Sequence, residues 1–140
     1  MRRISLLLQA EAIIAVISGY LISHMSWLGR VVGIPIFHPE YIFMKSWWKT
    51  TLIILAIEWA VIFVLWILKI KARPIVSKST CFLFMIIGFT GLCLTYRDFM
   101  TVFEHKLLKE KFHLGGYLFW IGWIISSFYF LIMPKQSADK

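Results

Sequence analysis

Four stretches of this sequence are long and apolar enough to cross a lipid bilayer as α-helices, and they occupy more than half of its 140 residues. A span needs about 20 mostly apolar residues, and the candidates run approximately over 4–24, 48–70, 80–96 and 114–133. The chain is 60% hydrophobic and 16% charged, whereas soluble domains average about 45–50% and about 25%. A chain this short has too small an interior to hide that much apolar surface from water. These features exclude a soluble enzyme, a disordered tail and a disulfide scaffold.

The predicted fold class is therefore all-α, an integral membrane four-helix bundle formed by one domain over residues 1–140. The basic start Met1-Arg2-Arg3 resembles that of a signal peptide. The apolar stretch after it is too long for a signal peptide, and no small-residue cleavage site follows, so we expect this first helix to be retained. Pro134 ends the fourth stretch. An even number of spans places both termini on the same side of the membrane.

Lysine and arginine indicate the orientation of the bundle. The side that holds the termini carries eight basic residues, Arg2, Arg3, Lys69, Lys71, Arg73, Lys78, Lys135 and Lys140. The opposite side carries seven, Arg30, Lys45, Lys49, Arg97, Lys106, Lys109 and Lys111. The totals barely differ, which leaves dual topology open, but four of the eight fall within residues 69–78. We expect both termini to lie in the cytoplasm, at a bacterial inner membrane.

The two outer loops are longer than the inner one and are predicted to be partly helical and interfacial. The first loop contains glycines and prolines that prevent one helix from continuing up to Pro39. Pro39 suits the first position of a new helix, which we expect to run on into the second span. That helix would hold aromatic side chains at the headgroup level, namely Tyr41, Phe43, Trp47 and Trp48. We expect the second loop, RDFMTVFEHKLLKEKFH, to extend the third span or to form an interfacial helix.

Glu11 and Glu58 are the carboxyl groups that the sequence places within the spans. A charged side chain at mid-membrane costs at least about 2.5–3.5 kcal/mol, so each must face the bundle interior or be neutral. Antiparallel packing of the first two helices leaves the two residues about 8 Å apart in depth. We therefore expect them to line one polar seam, with Gln9 beside it.

Two interpretations of this seam remain open at the level of sequence. In the functional one it is a proton or cation site, or a buried recognition point for a partner helix. In the structural one each glutamate is protonated and bonded to a hydroxyl such as that of Ser18 or Thr90. For Glu11 the structural interpretation also includes an ion pair with Arg3 or Lys71 near the membrane surface.

The histidines fall at or beyond the outer membrane face. His24 and His113 end and begin their spans at the same level, so a haem b held between them is the cofactor alternative, with His105 as a further candidate ligand of haem or metal. His105 and His113 lie eight residues apart, about 80° off one helical face, whereas a metal site needs three or four ligands. We therefore predict no metal and no resident cofactor. The two cysteines are too far apart along one helix to form a disulfide.

The sequence contains no HExxH, no CxxCH and no glycine-rich phosphate loop. An enzyme is therefore the less favoured class. We expect a small, multi-pass, non-catalytic accessory subunit that docks partner membrane proteins, as an oligomer or in a hetero-complex. The net charge of +8 is expected to meet anionic lipid headgroups, and we expect no nucleic-acid partner.

Two alternatives accompany this expectation. The small, basic, four-helix architecture, the segment LTYRDF and the aromatic last helix resemble the immunity proteins that act against pore-forming bacteriocins. That resemblance implies a protein that binds the membrane domain of an incoming toxin. The other alternative is an anchor that holds haem or quinone in a redox complex. Glu11 in QAEAIIAVISG is also similar to the membrane glutamate of small multidrug exporters, but the long outer loops of this chain do not fit that family.

Overall fold

The computed structural model of the protein describes residues 2–26, 31, 39–101 and 109–134. These residues form four long α-helices, α1 (Arg2–Ser23), α2 (Trp47–Lys71), α3 (Pro74–Thr101) and α4 (Lys109–Ile132), and a 3₁₀ helix over Pro39–Lys45. Each of the four α-helices is long and apolar enough to cross a membrane. The predicted all-α four-helix bundle is therefore confirmed.

Two helices extend well beyond the apolar stretches that predicted them. α3 begins at Pro74 and ends at Thr101, and α4 begins at Lys109, whereas the predicted spans were 80–96 and 114–133. Proline is favourable in a first helical turn, where its missing N–H is not needed. Apolar length marks only the part of a helix that lies in hydrocarbon, so helical turns beyond that part escape the prediction. The start of the second outer loop thus extends α3, and residues 102–108 lie outside the described part of the chain.

The first outer loop differs from the prediction in one respect. A helix does begin at Pro39, but it is a 3₁₀ helix that ends at Lys45 and does not run on into α2. Ser46 separates the two, with an extended backbone at φ −107° and ψ 112° as the N-cap of α2. Its N–H donates to the carbonyl of Phe43 at 3.1 Å, which completes the 3₁₀ turn. An N-cap residue has non-helical dihedral angles, so a single continuous helix is ruled out here.

Helices adjacent in the chain run antiparallel, and so do α1 and α4, whereas α2 and α4 run parallel. Gly19 of α1 lies directly against Thr51 of α2, and Ser18 Oγ of α1 donates to the carbonyl of Gly115 in α4 at 2.6 Å. Trp123 Nε1 of α4 donates to the carbonyl of Phe84 in α3 at 2.9 Å. One end of the bundle, here called the terminal end, thus holds the start of α1, the α2–α3 turn and the end of α4. The opposite end is called the loop end.

The four helices contribute unequally to the interior. α1 packs on both α2 and α4 and buries one stripe of residues spaced three and four apart, Leu7, Glu11, Ala15, Ser18 and Ile22. α3 packs mainly on α4, and only 11% of its spanning window is buried, against 33% for α2. The core is therefore formed mainly by α1, α2 and α4, and α3 contributes Cys81 and Phe99 to it.

Candidate functional site

Glu11 of α1 and Glu58 of α2 meet in the centre of the bundle, against Gly122 of α4. Both glutamates are completely buried, with 0% of their surface exposed. A Cβ atom placed on Gly122 would lie 2.6 Å from Oε2 of Glu11 and 3.1 Å from Oε1 of Glu58. The two oxygens therefore lie no farther apart than the sum of these distances, and the missing side chain of Gly122 provides the space that they occupy.

The carboxyl pair separates two apolar layers of the core. On the loop-end side lies a cluster that contains Ala15, Ile54 and Phe112. On the terminal-end side lies a cluster that contains Leu7, Val61, Ile62 and Phe130. Because the pair lies between two layers of packed hydrocarbon, it is an isolated polar layer inside the bundle. Such residues in spans are costly and usually have a specific role or partner.

Hydrogen bonding satisfies this layer only in part. Ser126 Oγ donates to Oε1 of Glu11 at 2.9 Å, and both side chains are buried. Within the described residues, Oε2 of Glu11 and both carboxyl oxygens of Glu58 make no hydrogen bond. Buried polar oxygens without partners are unfavourable, since they have lost water and gained nothing in return. Three of the four carboxyl oxygens are therefore left unsatisfied by the described residues.

The helix faces explain which predicted residues come together here. Gly122 and Ser126 lie four residues apart and so on one face of α4, and this face meets Glu11 and Glu58. The sequence predicts the two glutamates in one seam but does not mark Gly122 and Ser126 as its other components. The detectable signal was a pair of small residues at a spacing of four in an otherwise bulky helix.

Several predicted partners of the glutamates lie elsewhere. Gln9 is exposed and does not join the seam, because two residues of helix rotate it about 200° away from Glu11. The hydroxyl bonded to Glu11 is that of Ser126 rather than Ser18 or Thr90: Ser18 donates to Gly115, and Thr90 is exposed.

A second feature, a cleft at the loop end between α2 and the α3–α4 pair, has a volume of 460 Å³. We call it the α2–α3 cleft. Ile53, Ile54 and Ile57 line its α2 wall, whereas Thr95, Asp98 and Phe99 line its α3 wall; Phe119 and Trp120 of α4 lie between these walls. Trp120 Nε1 donates to Thr95 Oγ1 at 2.8 Å, which fixes the indole and ties α3 to α4. The lining is thus mainly apolar, with the exposed carboxyl group of Asp98 as its charged member.

The two described histidines are each stacked on an aromatic ring. His24 stacks on Tyr20 of its own helix with ring centroids 4.0 Å apart, and its Nδ1 lies 2.8 Å from the carbonyl of Tyr20. His113 stacks on Phe99 of α3 with centroids 4.3 Å apart. Each ring is thus packed against an aromatic neighbour. His105 lies outside the described residues, and the described part of the chain contains no cluster of three or more His, Cys, Asp or Glu side chains suited to a metal ion.

The chain matches no known family model, no curated protein and no solved structure.

Proposed function

We propose that the protein is a non-catalytic interaction subunit of a bacterial inner membrane, with both termini in the cytoplasm, and that it docks a transmembrane helix of a partner protein in the α2–α3 cleft. The observation that carries this proposal is the open position of α3. In a closed four-helix bundle each helix packs extensively on two neighbours, but here α3 packs mainly on α4. The sparse packing between α2 and α3 leaves a cleft that side chains of a fifth helix would enter.

The size and lining of the cleft suit bulky apolar side chains. Its 460 Å³ falls within the range of about 300–1,000 Å³ typical of binding pockets. In hydrocarbon, helices associate by close packing and interhelical hydrogen bonds rather than by the hydrophobic effect. A row of large side chains on a partner helix would fill this space better than lipid chains, which are mobile and do not fit its outline.

The charge of the cleft indicates the chemistry of the partner. Asp98 lies at the loop-end mouth and is exposed. A partner helix with a lysine or arginine at the corresponding end would pair with it at the membrane surface, where one such pair contributes about 0.2–1 kcal/mol. The carboxyl group therefore favours one orientation and depth of the partner rather than providing most of the affinity.

Photo-crosslinking in native membranes tests the proposal. Ile53 and Ile57 line the cleft and are each 40% exposed, whereas Ile13 of α1 is 62% exposed and lies away from it. A photoreactive amino acid at position 53 is expected to crosslink to one defined partner protein. Ile57→Trp fills the cleft and should abolish that crosslink, whereas the matched control Ile13→Trp should not. Asp98→Lys should weaken it more than Glu110→Lys, which makes the same change outside the cleft.

Crosslinks to lipid alone, or equal effects of the tryptophan variants at positions 57 and 13, would refute docking in the cleft. If the partner is a toxin's membrane domain, the crosslink should appear only in cells exposed to the toxin, which would support the immunity alternative. A visible absorption spectrum of the purified protein with a haem band would instead favour the redox anchor.

The carboxyl pair supports a second candidate function, the binding and release of a proton inside the membrane. Two ionised carboxylates this close in hydrocarbon surroundings repel each other strongly, so the pair is suited to hold one shared proton. Proteoliposomes with a pH-sensitive dye inside would measure proton flux, and Glu58→Gln should abolish any flux that passes through the pair. Proton flux that is unchanged in Glu58→Gln would exclude this candidate function. The crosslinking test of the cleft is independent of that outcome.

A further inference from the structure

A second pocket lies at the terminal end, opposite the α2–α3 cleft, and has a volume of 290 Å³. The end of α2, the first turn of α3 and the end of α4 enclose it. One wall is polar and carries Lys69, Ser77 and Lys78; the other is apolar and carries Leu131, Ile132 and Met133. The pocket lies where the spans reach the membrane surface. Its polar wall therefore suits lipid headgroups, and its apolar wall suits acyl chains.

Lys69 is an unusual component of this pocket, because only 5% of its surface is exposed. Its Nζ donates to the carbonyl of Phe130 at 2.7 Å. That carbonyl is among the last four of α4 and has no partner within its own helix, so the ammonium group caps the negative end of α4. An ammonium group has three N–H donors, and this bond uses one of them. Two donors are left to serve a ligand in the pocket.

Ser77 is a second, independent indication of a ligand site. It is 2% exposed, and its Oγ makes no hydrogen bond with any described residue. The Cys81 thiol lies beside it and interacts with the hydroxyl group, but a thiol is only a weak donor and acceptor. A buried hydroxyl group without a partner is unfavourable. A ligand that accepts a hydrogen bond in this pocket would satisfy the hydroxyl.

The charge around the pocket selects an anion. The sequence has no acidic residue between Glu58 and Asp98, whereas four basic residues lie within residues 69–78. The pocket also adjoins the N-terminus of α3, which begins at Pro74. The free N–H groups and the helix dipole of such a terminus favour a negative group.

We propose that this pocket binds the phosphate group of an anionic phospholipid. Lys69 and Lys78 supply positive charge, and Ser77 donates a hydrogen bond to a phosphate oxygen. The apolar wall formed by residues 131–133 contacts the upper part of an acyl chain. A free phosphate ion has the same charged chemistry but leaves that wall uncovered, so the lipid is the ligand that fits both walls.

Native mass spectrometry of the protein in a neutral detergent tests this site. Phosphatidylglycerol is titrated in, with phosphatidylcholine and inorganic phosphate as separate probes. Ser77→Ala is expected to weaken phosphatidylglycerol binding about ten-fold, since a hydrogen bond to a charged group is lost. It should weaken the fold little, because the hydroxyl group has no strong hydrogen bond with the described residues beyond a weak interaction with the Cys81 thiol. Ser79→Ala, a matched change at an exposed position, should leave binding unchanged. Lys78→Gln should weaken binding more than Lys71→Gln, because both lysines are exposed but Lys78 alone lines the pocket.

The outcomes separate the alternatives. Unchanged binding in Ser77→Ala, or equal losses in Lys78→Gln and Lys71→Gln, would overturn the site and leave only non-specific attraction to a basic surface. Saturable binding of inorganic phosphate at the same site, with no preference for phosphatidylglycerol over phosphatidylcholine, would show that the site binds a free phosphate ion and not a lipid. A preference for phosphatidylglycerol that depends on Ser77 and is not displaced by inorganic phosphate is the expected result.

Discussion

Gly122→Ala is the most direct test of the buried carboxyl pair. The added Cβ would lie 2.6 Å from Oε2 of Glu11 and 3.1 Å from Oε1 of Glu58. The first distance is about 0.8 Å short of ordinary van der Waals contact, and neither glutamate has open space to withdraw into, since both are completely buried. Withdrawal of Glu11 would also strain its 2.9 Å bond from Ser126. Overpacking of this kind costs about 1–3 kcal/mol.

A matched glycine separates this clash from the general effect of adding a methyl group to a helix. Alanine is favoured over glycine in a helix interior by up to about 1 kcal/mol, which offsets part of the cost. Gly116 lies in the same helix, where a Cβ would contact the Phe99 ring at 3.2 Å and no carboxyl group. We therefore expect Gly122→Ala to be less stable than Gly116→Ala by about 1–2 kcal/mol.

The free energy of unfolding is measured by titration of SDS into mixed micelles, followed by tryptophan fluorescence. Glu11→Asp shortens the side chain by one methylene group and should relieve the clash. It should therefore lower the free energy of unfolding less in the Gly122→Ala background than in the wild type. Contacting residues commonly show coupling of about 0.5–3 kcal/mol in such cycles. Equal stability of the two alanine variants, or additive effects of Gly122→Ala and Glu11→Asp, would refute the proposed geometry of the pair.

Three further predictions concern packing and orientation. Lys69→Met should lower the free energy of unfolding by about 1–3 kcal/mol, because it removes a charged hydrogen bond to the carbonyl of Phe130. The control Lys71→Met, at an exposed position, should change it by less than about 0.5 kcal/mol. Equal changes in the two variants would argue against capping of α4 by Lys69. Ser18→Ala should lower the free energy of unfolding by about 1 kcal/mol in the same assay, because it removes the 2.6 Å hydrogen bond to the carbonyl of Gly115 that joins α1 to α4. An unchanged unfolding midpoint would show that this hydrogen bond does not stabilise the bundle. A reporter that is active only in the cytoplasm should be active when fused to either terminus. If it is active at one terminus and inactive at the other, the termini lie on opposite sides, which would exclude an even number of spans.

The sequence by itself determined that the long helices suit a lipid bilayer, how many of them there are, and that the fold class is all-α. These follow from local properties, since about 20 consecutive apolar residues suffice to cross a bilayer whatever surrounds them. Helix ends follow less well from such a criterion. The turns at Pro74 and Lys109 lie beyond the apolar stretches, and the break at Ser46 depends on the backbone angles of one residue.

The tertiary structure decided which face of each helix is inside. In a soluble helix the apolar stripe marks the buried face, but these helices are apolar on nearly all sides, and the lipid-facing and buried surfaces have similar composition. Gln9 and Glu11 show the consequence, because both are polar, yet one is exposed and the other completely buried. The choice depends on where Gly122 and Ser126 of α4 come to lie, more than 100 residues away in the chain. The α2–α3 cleft and the pocket around Ser77 are likewise gaps between helices, and such gaps depend on the packing of distant segments rather than on any local pattern.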